Sequence, residues 1–66
     1  MKIFCTVIIE EPQQRDNLCR CLDIIGVEPD VRGNTVYAEY EGERETAQKL
    51  MDLFQQYPFH GISILG

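Results

Sequence analysis

The chain has no tryptophan, a single histidine (His60), and six basic residues against eleven acidic ones, for a formal net charge of -5 over 66 residues. The bases, Lys2, Arg15, Arg20, Arg32, Arg44 and Lys49, are scattered. Phosphate backbones are held by clustered Lys and Arg, so nucleic acid and anionic membranes are not expected partners. No run approaches the roughly 18 apolar residues of a membrane span. The apolar stretch behind Lys2 stops at Glu10-Glu11-Pro12, too early for a signal peptide. Three cysteines, an odd number, do not make a disulfide framework. The expectation is a soluble, cytoplasmic, reduced chain, and Met1 running directly into a strand leans toward a complete one. P-loop, nucleophile elbow and paired catalytic motif are all missing, so neither an enzyme nor a cofactor is expected.

What is present begins with Ile3-Phe4-Cys5-Thr6-Val7-Ile8-Ile9, apolar and β-branched enough to be a strand with both faces covered at least in part. Ile3, Cys5, Val7 and Ile9 share one face, and Phe4, Thr6 and Ile8 the other. Glu10-Glu11-Pro12 then suits a helix start. Leu18, Cys21, Leu22 and Ile25 mark one helical face, and Gly26 supplies a left-handed stop, which predicts a helix over residues 12–25. On its solvated side Glu11 and Arg15, and Asp16 and Arg20, stand at i,i+4 spacing for ion pairs.

Val27-Glu28-Pro29-Asp30-Val31 alternates, but Pro29 cannot donate to a ladder, so a short edge strand is predicted. Gly33-Asn34 suits a tight hairpin turn into a third strand over residues 35–40. Glu43 and Glu45 open a second helix, in which Ala47, Leu50, Met51 and Phe54 give the cleanest amphipathic spacing of the chain, and Pro58 ends it. Ile62-Ser63-Ile64-Leu65 reads as the last strand. The order is βαββαβ, one domain over residues 1–66. The expected fold class is α+β: a ferredoxin-like two-layer sandwich with a four-stranded antiparallel sheet in the order 4-1-3-2 and two helices on one face.

Few residues suggest chemistry. Cys19 and Cys21, two apart on a helix, point about 200° apart and cannot share one metal ion. Cys5 faces the helices, where Cys21 is its expected neighbour; two thiols are then buried as small apolar groups and the third, Cys19, lies outside. His60 reads as a turn residue. Glu39, Glu41, Glu43 and Glu45 read as solvation, strand pattern and helix-start charges, so no metal site is expected. Small heavy-metal-binding domains share the fold but carry a CxxC after the first strand, where this chain has Glu10-Glu11-Pro12-Gln13-Gln14. Acylphosphatases share it too, with a glycine-rich phosphate loop that has no counterpart here. Arg32-Gly33-Asn34-Thr35-Val36-Tyr37-Ala38 resembles the start of the third-strand signature of RNA recognition motifs, but Asn34 and Val36 stand where stacking aromatics belong. The helix exit Gly26-Val27 and the element order resemble ACT regulatory domains, which implies amino-acid binding at a subunit interface. Those domains carry a glycine in the loop after the first strand, and this chain has none there.

The sheet face turned from the helices is the most informative feature. Alternation gives it Phe4, Thr6, Ile8, Tyr37, Glu39, Ser63 and Leu65, of which Phe4, Ile8, Tyr37 and Leu65 are large and apolar or aromatic. A contiguous patch of that kind marks a contact surface. A domain this small buries only roughly 60% of its unfolded surface and gains from a partner subunit. The expectation is a non-catalytic domain that associates with itself, as a dimer or larger homo-oligomer, or with another protein through this face. The alternative is an amino-acid-sensing domain whose small-molecule ligand sits at a dimer interface near Glu10 to Gln14.

Overall fold

Alternate residues of the first strand decide the architecture: Ile3, Cys5 and Val7 are fully buried, while Phe4 and Thr6 are half-buried and Ile8 is exposed. One side of the sheet therefore carries the core and the other is open. The computed structural model describes residues 1–66. It contains β1 (Lys2–Ile8), α1 (Pro12–Ile25), β2 (Asp30–Arg32), β3 (Thr35–Glu41), α2 (Arg44–Gln55) and β4 (His60–Ile64). The four strands form one sheet in the order β2-β3-β1-β4, antiparallel at every junction, which is the order 4-1-3-2 taken from the opposite edge. The result is a two-layer α+β sandwich of ferredoxin-like topology, with β1 central. No helix is long and apolar enough to cross a membrane.

The core joins Ile3, Cys5, Val7, Val36 and Ala38 of the sheet to Leu18 and Leu22 of α1 and to Ala47, Leu50, Met51 and Phe54 of α2. Each large side chain fully buried there contributes about 1.5–3 kcal/mol. Pro12 opens α1, whose N-cap Glu11 makes no side-chain capping bond. At the other end Gly26 adopts φ +92°, its N–H donates to the Leu22 and Asp23 carbonyls, and Val27 N–H donates to Leu22 at 2.9 Å. This is a Schellman stop, and it needs the left-handed residue that glycine supplies.

The same stop explains a difference from expectation. Val27 is not in a strand: it drops into the core at 4% exposure, and pairing begins only at Asp30, so β2 is Asp30–Arg32. The turn to β3 is Gly33-Asn34, with φ +60° at Gly33 and no positive φ at Asn34, the signs of a type II′ turn. β4 starts two residues earlier than its apolar run, because His60 and Gly61 already pair with Val7 and Thr6.

The thiols also differ. Cys5 is buried, but Cys21 is exposed and Cys19 is half-buried. The buried seam of α1 is the i,i+4 pair Leu18 and Leu22, and a residue on either flank of that seam satisfies the same periodicity. Cys21 falls on the flank facing the groove beside α2, lined with Ile25 and Leu53, rather than over the sheet. Nor does Arg15 pair with Glu11. Its guanidinium nitrogen Nη1 donates to the carbonyls of Ile9 (2.7 Å) and Glu10 (2.9 Å) and to Asn34 Oδ1 (3.0 Å), tying the β1–α1 loop to the hairpin turn. Asp16 and Arg20 form no ion pair; the ion pairs of the chain are Lys2 with Glu39 and Arg32 with Asp30.

Candidate contact face on the open side of the sheet

The strand register fixes which side chains reach the open face. Across β1 and β3, Phe4 stands opposite Glu39, Thr6 opposite Tyr37 and Ile8 opposite Thr35. Across β1 and β4, Phe4 stands opposite Ser63 and Thr6 opposite Gly61. Leu65 lies one residue beyond β4 and continues the parity, its N–H donating to the Lys2 carbonyl at 2.8 Å. Phe4, Thr6, Ile8, Tyr37, Glu39, Ser63 and Leu65 thus all lie on this side. β2 adds Asp30, opposite Tyr37, and Arg32, opposite Thr35. Lys2 and Glu41, opposite each other, complete the face and were not among the residues expected there.

Its centre is aromatic. The Phe4 and Tyr37 rings lie 6.1 Å apart at 31°, within the range of favourable offset pairs. They wall a shallow hollow of about 340 Å³ with Asp30 and Arg32. Ile8 at one end is 51% exposed and Leu65 at the other 57%. Gly61 leaves a flat spot beside Thr6, since a Cβ there would lie 3.1 Å from the threonine hydroxyl. The charges stand around this centre, and all but Glu41 are paired: Lys2 with Glu39 at 3.4 Å and Arg32 with Asp30 at 3.2 Å. An apolar centre inside a polar rim is the layout of a protein interface, and both bases on this face are already engaged by carboxylates.

The remaining candidates lie away from the centre of this face, though one hollow shares Ile8 with it. His60, the first residue of β4, is exposed, and its Nδ1–H donates to the Tyr57 carbonyl. No three His, Cys, Asp or Glu residues come together in a metal-holding group. Gln14, Glu10 and Glu11 line a hollow of about 260 Å³ closed on the other side by Tyr57, Pro58 and Phe59. A second groove, of about 350 Å³, runs between α1 and α2 beside Cys21, Ile24 and Leu53. It went unseen in the sequence, where its one signal was Ile24, 86% exposed and off the Leu18–Leu22 seam.

Burial pushes the Cys5 thiol up to about 11. Cys19 is raised as well, by burial first and by Asp16, with Arg15 opposing. The Tyr57 hydroxyl is raised by burial and by nearby Cys21. Because the thiolate is the nucleophile, these environments predict an order of alkylation. Iodoacetamide near pH 8, just below the ordinary thiol range, should modify Cys21 first, Cys19 more slowly, and Cys5 only in denaturant. Peptide mass mapping over time reads that order, and early labelling of Cys5 would contradict its burial. The same shift acts on stability. Between the unfolded thiol value near 9 and the folded value near 11 the native state keeps a proton that the unfolded state gives up. The contribution of neutral Cys5 is therefore complete below pH 9 and is lost as pH rises through 11.

Comparison with family models, with curated proteins and with solved structures finds no match to this chain.

Proposed function

We propose that this chain is a small, non-catalytic, cytoplasmic contact domain that associates with itself or with another protein through the open face of its sheet. The supporting observation is the aromatic pair Phe4 and Tyr37, extended by Ile8 and Leu65 and rimmed by paired charges, on the side of the sheet that no helix covers. Burying such a face in a partner adds the apolar area that a chain of this length lacks.

The double variant Phe4→Lys with Ile8→Lys tests it, because both side chains point away from the core. Light-scattering mass behind a sizing column, over a hundredfold range of concentration, is expected to fall to that of the monomer, with a lower midpoint of thermal unfolding. Unchanged mass and stability would sink self-association through this face.

A second reading, an amino-acid-binding domain, is favoured by the hollow beside Glu10, Glu11 and Gln14. A thermal-shift screen of amino acids at millimolar concentration is expected to raise the unfolding midpoint if that hollow is a binding site. A flat response across the panel counts against it.

A further inference from the structure

The two edges of the sheet are unlike. β2 is three residues long, follows Pro29, and carries Asp30 and Arg32, so it is short and charged in the way that discourages strand addition. β4 has five residues, His60–Ile64, and residues 53–66 contain no Asp, Glu, Lys or Arg in a chain whose net charge is -5. This edge is long, uncharged and without proline. Two acidic copies meet there without opposing like charges.

The hydrogen-bond parity of the sheet says which groups this edge offers. Ile8 N–H donates to Phe59 and Leu65 N–H to Lys2, so residues 59, 61, 63 and 65 exchange bonds with β1. In an antiparallel ladder the alternate residues point the other way. The N–H and C=O groups of His60, Ile62 and Ile64 are therefore directed out of the sheet, where no further strand follows.

We propose that β4 pairs antiparallel with β4 of a second copy about a twofold axis at Ile62, joining the two sheets into one. The partner is fixed by self-complementarity. With Ile62 opposite Ile62 of the second copy, His60 stands opposite Ile64 and Ile64 opposite His60, so every outward group of the strand finds a mate. A shift by one residue sets outward groups against inward ones; a shift by two brings in Pro58, which has no N–H, in one direction, and in the other sets His60 against Gly66, whose carbonyl is already turned to Lys2 N–H. The same register sets Phe59, 70% exposed, opposite Leu65, 57% exposed, and symmetry repeats the contact. Residues of equal parity face each other, so both helix layers fall on one side of the joined sheet and both Phe4–Tyr37 faces on the other. This contact does not depend on the open-face reading, and apart from Leu65 it leaves that face free.

Amide hydrogen exchange, followed by NMR at low and high protein concentration alongside the mass measurement, tests the pairing. Gly61 and Ser63 amides, bonded to β1, are protected at both concentrations. Ile62 and Ile64 amides are expected to exchange freely in the dilute monomer and at least about tenfold more slowly once the mass doubles. Ile64→Pro removes only an outward N–H and is expected to raise the dimer dissociation constant at least about tenfold with an unchanged circular dichroism spectrum. If that variant misfolds, exchange in the natural chain decides. A monomer at every concentration overturns the proposal. So does a dimer whose Ile62 and Ile64 amides stay unprotected. A dimer that Ile64→Pro leaves intact and that Phe4→Lys with Ile8→Lys dissolves overturns it in favour of the open face. A dimer that survives Phe4→Lys with Ile8→Lys but shows the protected amides upholds the edge pairing and removes self-association through the face.

Discussion

Phe54→Ala is expected to cost about 3–5 kcal/mol, the usual loss for emptying a fully buried aromatic position. Phe54 is the largest of the fully buried side chains and sits on α2 among Leu50 and Met51, against β1. Two terms add: the transfer free energy of the ring and the cavity that a small, tightly connected core cannot close. A domain of 66 residues has a folding free energy of only roughly 3–10 kcal/mol. The variant therefore loses a large share of its stability, and its thermal midpoint falls by at least about 12 °C. Phe59→Ala is the control, since Phe59 is 70% exposed and is not part of the buried core. In dilute solution it should stay within about 0.5 kcal/mol of the parent. Urea titration of the two variants decides the matter, and equal losses would mean that the two phenylalanines are not inside and outside as described.

That contrast also shows what sequence pattern carries and what it leaves open. The Ala47, Leu50, Met51 and Phe54 spacing specifies one seam of α2 with little ambiguity, and all four residues are buried. The limits of α1 at Pro12 and Ile25 were legible because a proline start and a glycine stop are backbone-geometry signals that need no tertiary information. Strict alternation in β1 likewise placed Phe4, Thr6 and Ile8 on the open face, and the register carried Tyr37, Glu39 and Ser63 to the same side. Period-two parity admits only one error, a flip, and a buried face forbids it. Helical periodicity is looser. Leu18 and Leu22 define the seam of α1, but the tilt of the helix against its neighbours chooses between Cys19 and Cys21, and that tilt is set by residues far away in the chain. Val27 illustrates the other gap. Its alternation with Glu28 suggests a strand, yet one apolar residue directly after a Schellman stop is also placed to pack back onto the helix, and the core claims it. The Lys2–Glu39 ion pair flanking the open face was not legible, because the two residues meet on the diagonal of the ladder, and a diagonal appears only once the register is known.

The second large effect is expected at Arg15. Spacing offers this residue Glu11 one helical turn away, an exposed pair worth a few tenths of a kcal/mol at most. The guanidinium instead turns back across the helix start and shares Nη1 protons among the Ile9 carbonyl, the Glu10 carbonyl and Asn34 Oδ1. Bonds from a charged donor are the stronger kind, and the Ile9 carbonyl is partly buried, so its loss is not fully made good by water. The Glu10 and Asn34 acceptors are exposed and rehydrate, which limits the total. Arg15→Met keeps the aliphatic stem and removes the donor, and it is expected to destabilise the chain by about 1.5–3 kcal/mol. Asn34→Ala deletes one exposed acceptor while its backbone carbonyl still accepts the Ile9 N–H at 2.8 Å, so a cost nearer about 0.5 kcal/mol is expected. A second readout separates loss of the clamp from general loosening. Arg15 holds the Cys19 thiol down against burial and Asp16, so its removal should slow alkylation of Cys19 while Cys21 reacts as before. A loosened structure would do the opposite and expose every thiol. Arg15→Met with parental stability and an unchanged Cys19 rate would show that the loop between β1 and α1 is held by the Ile9–Asn34 backbone bond alone.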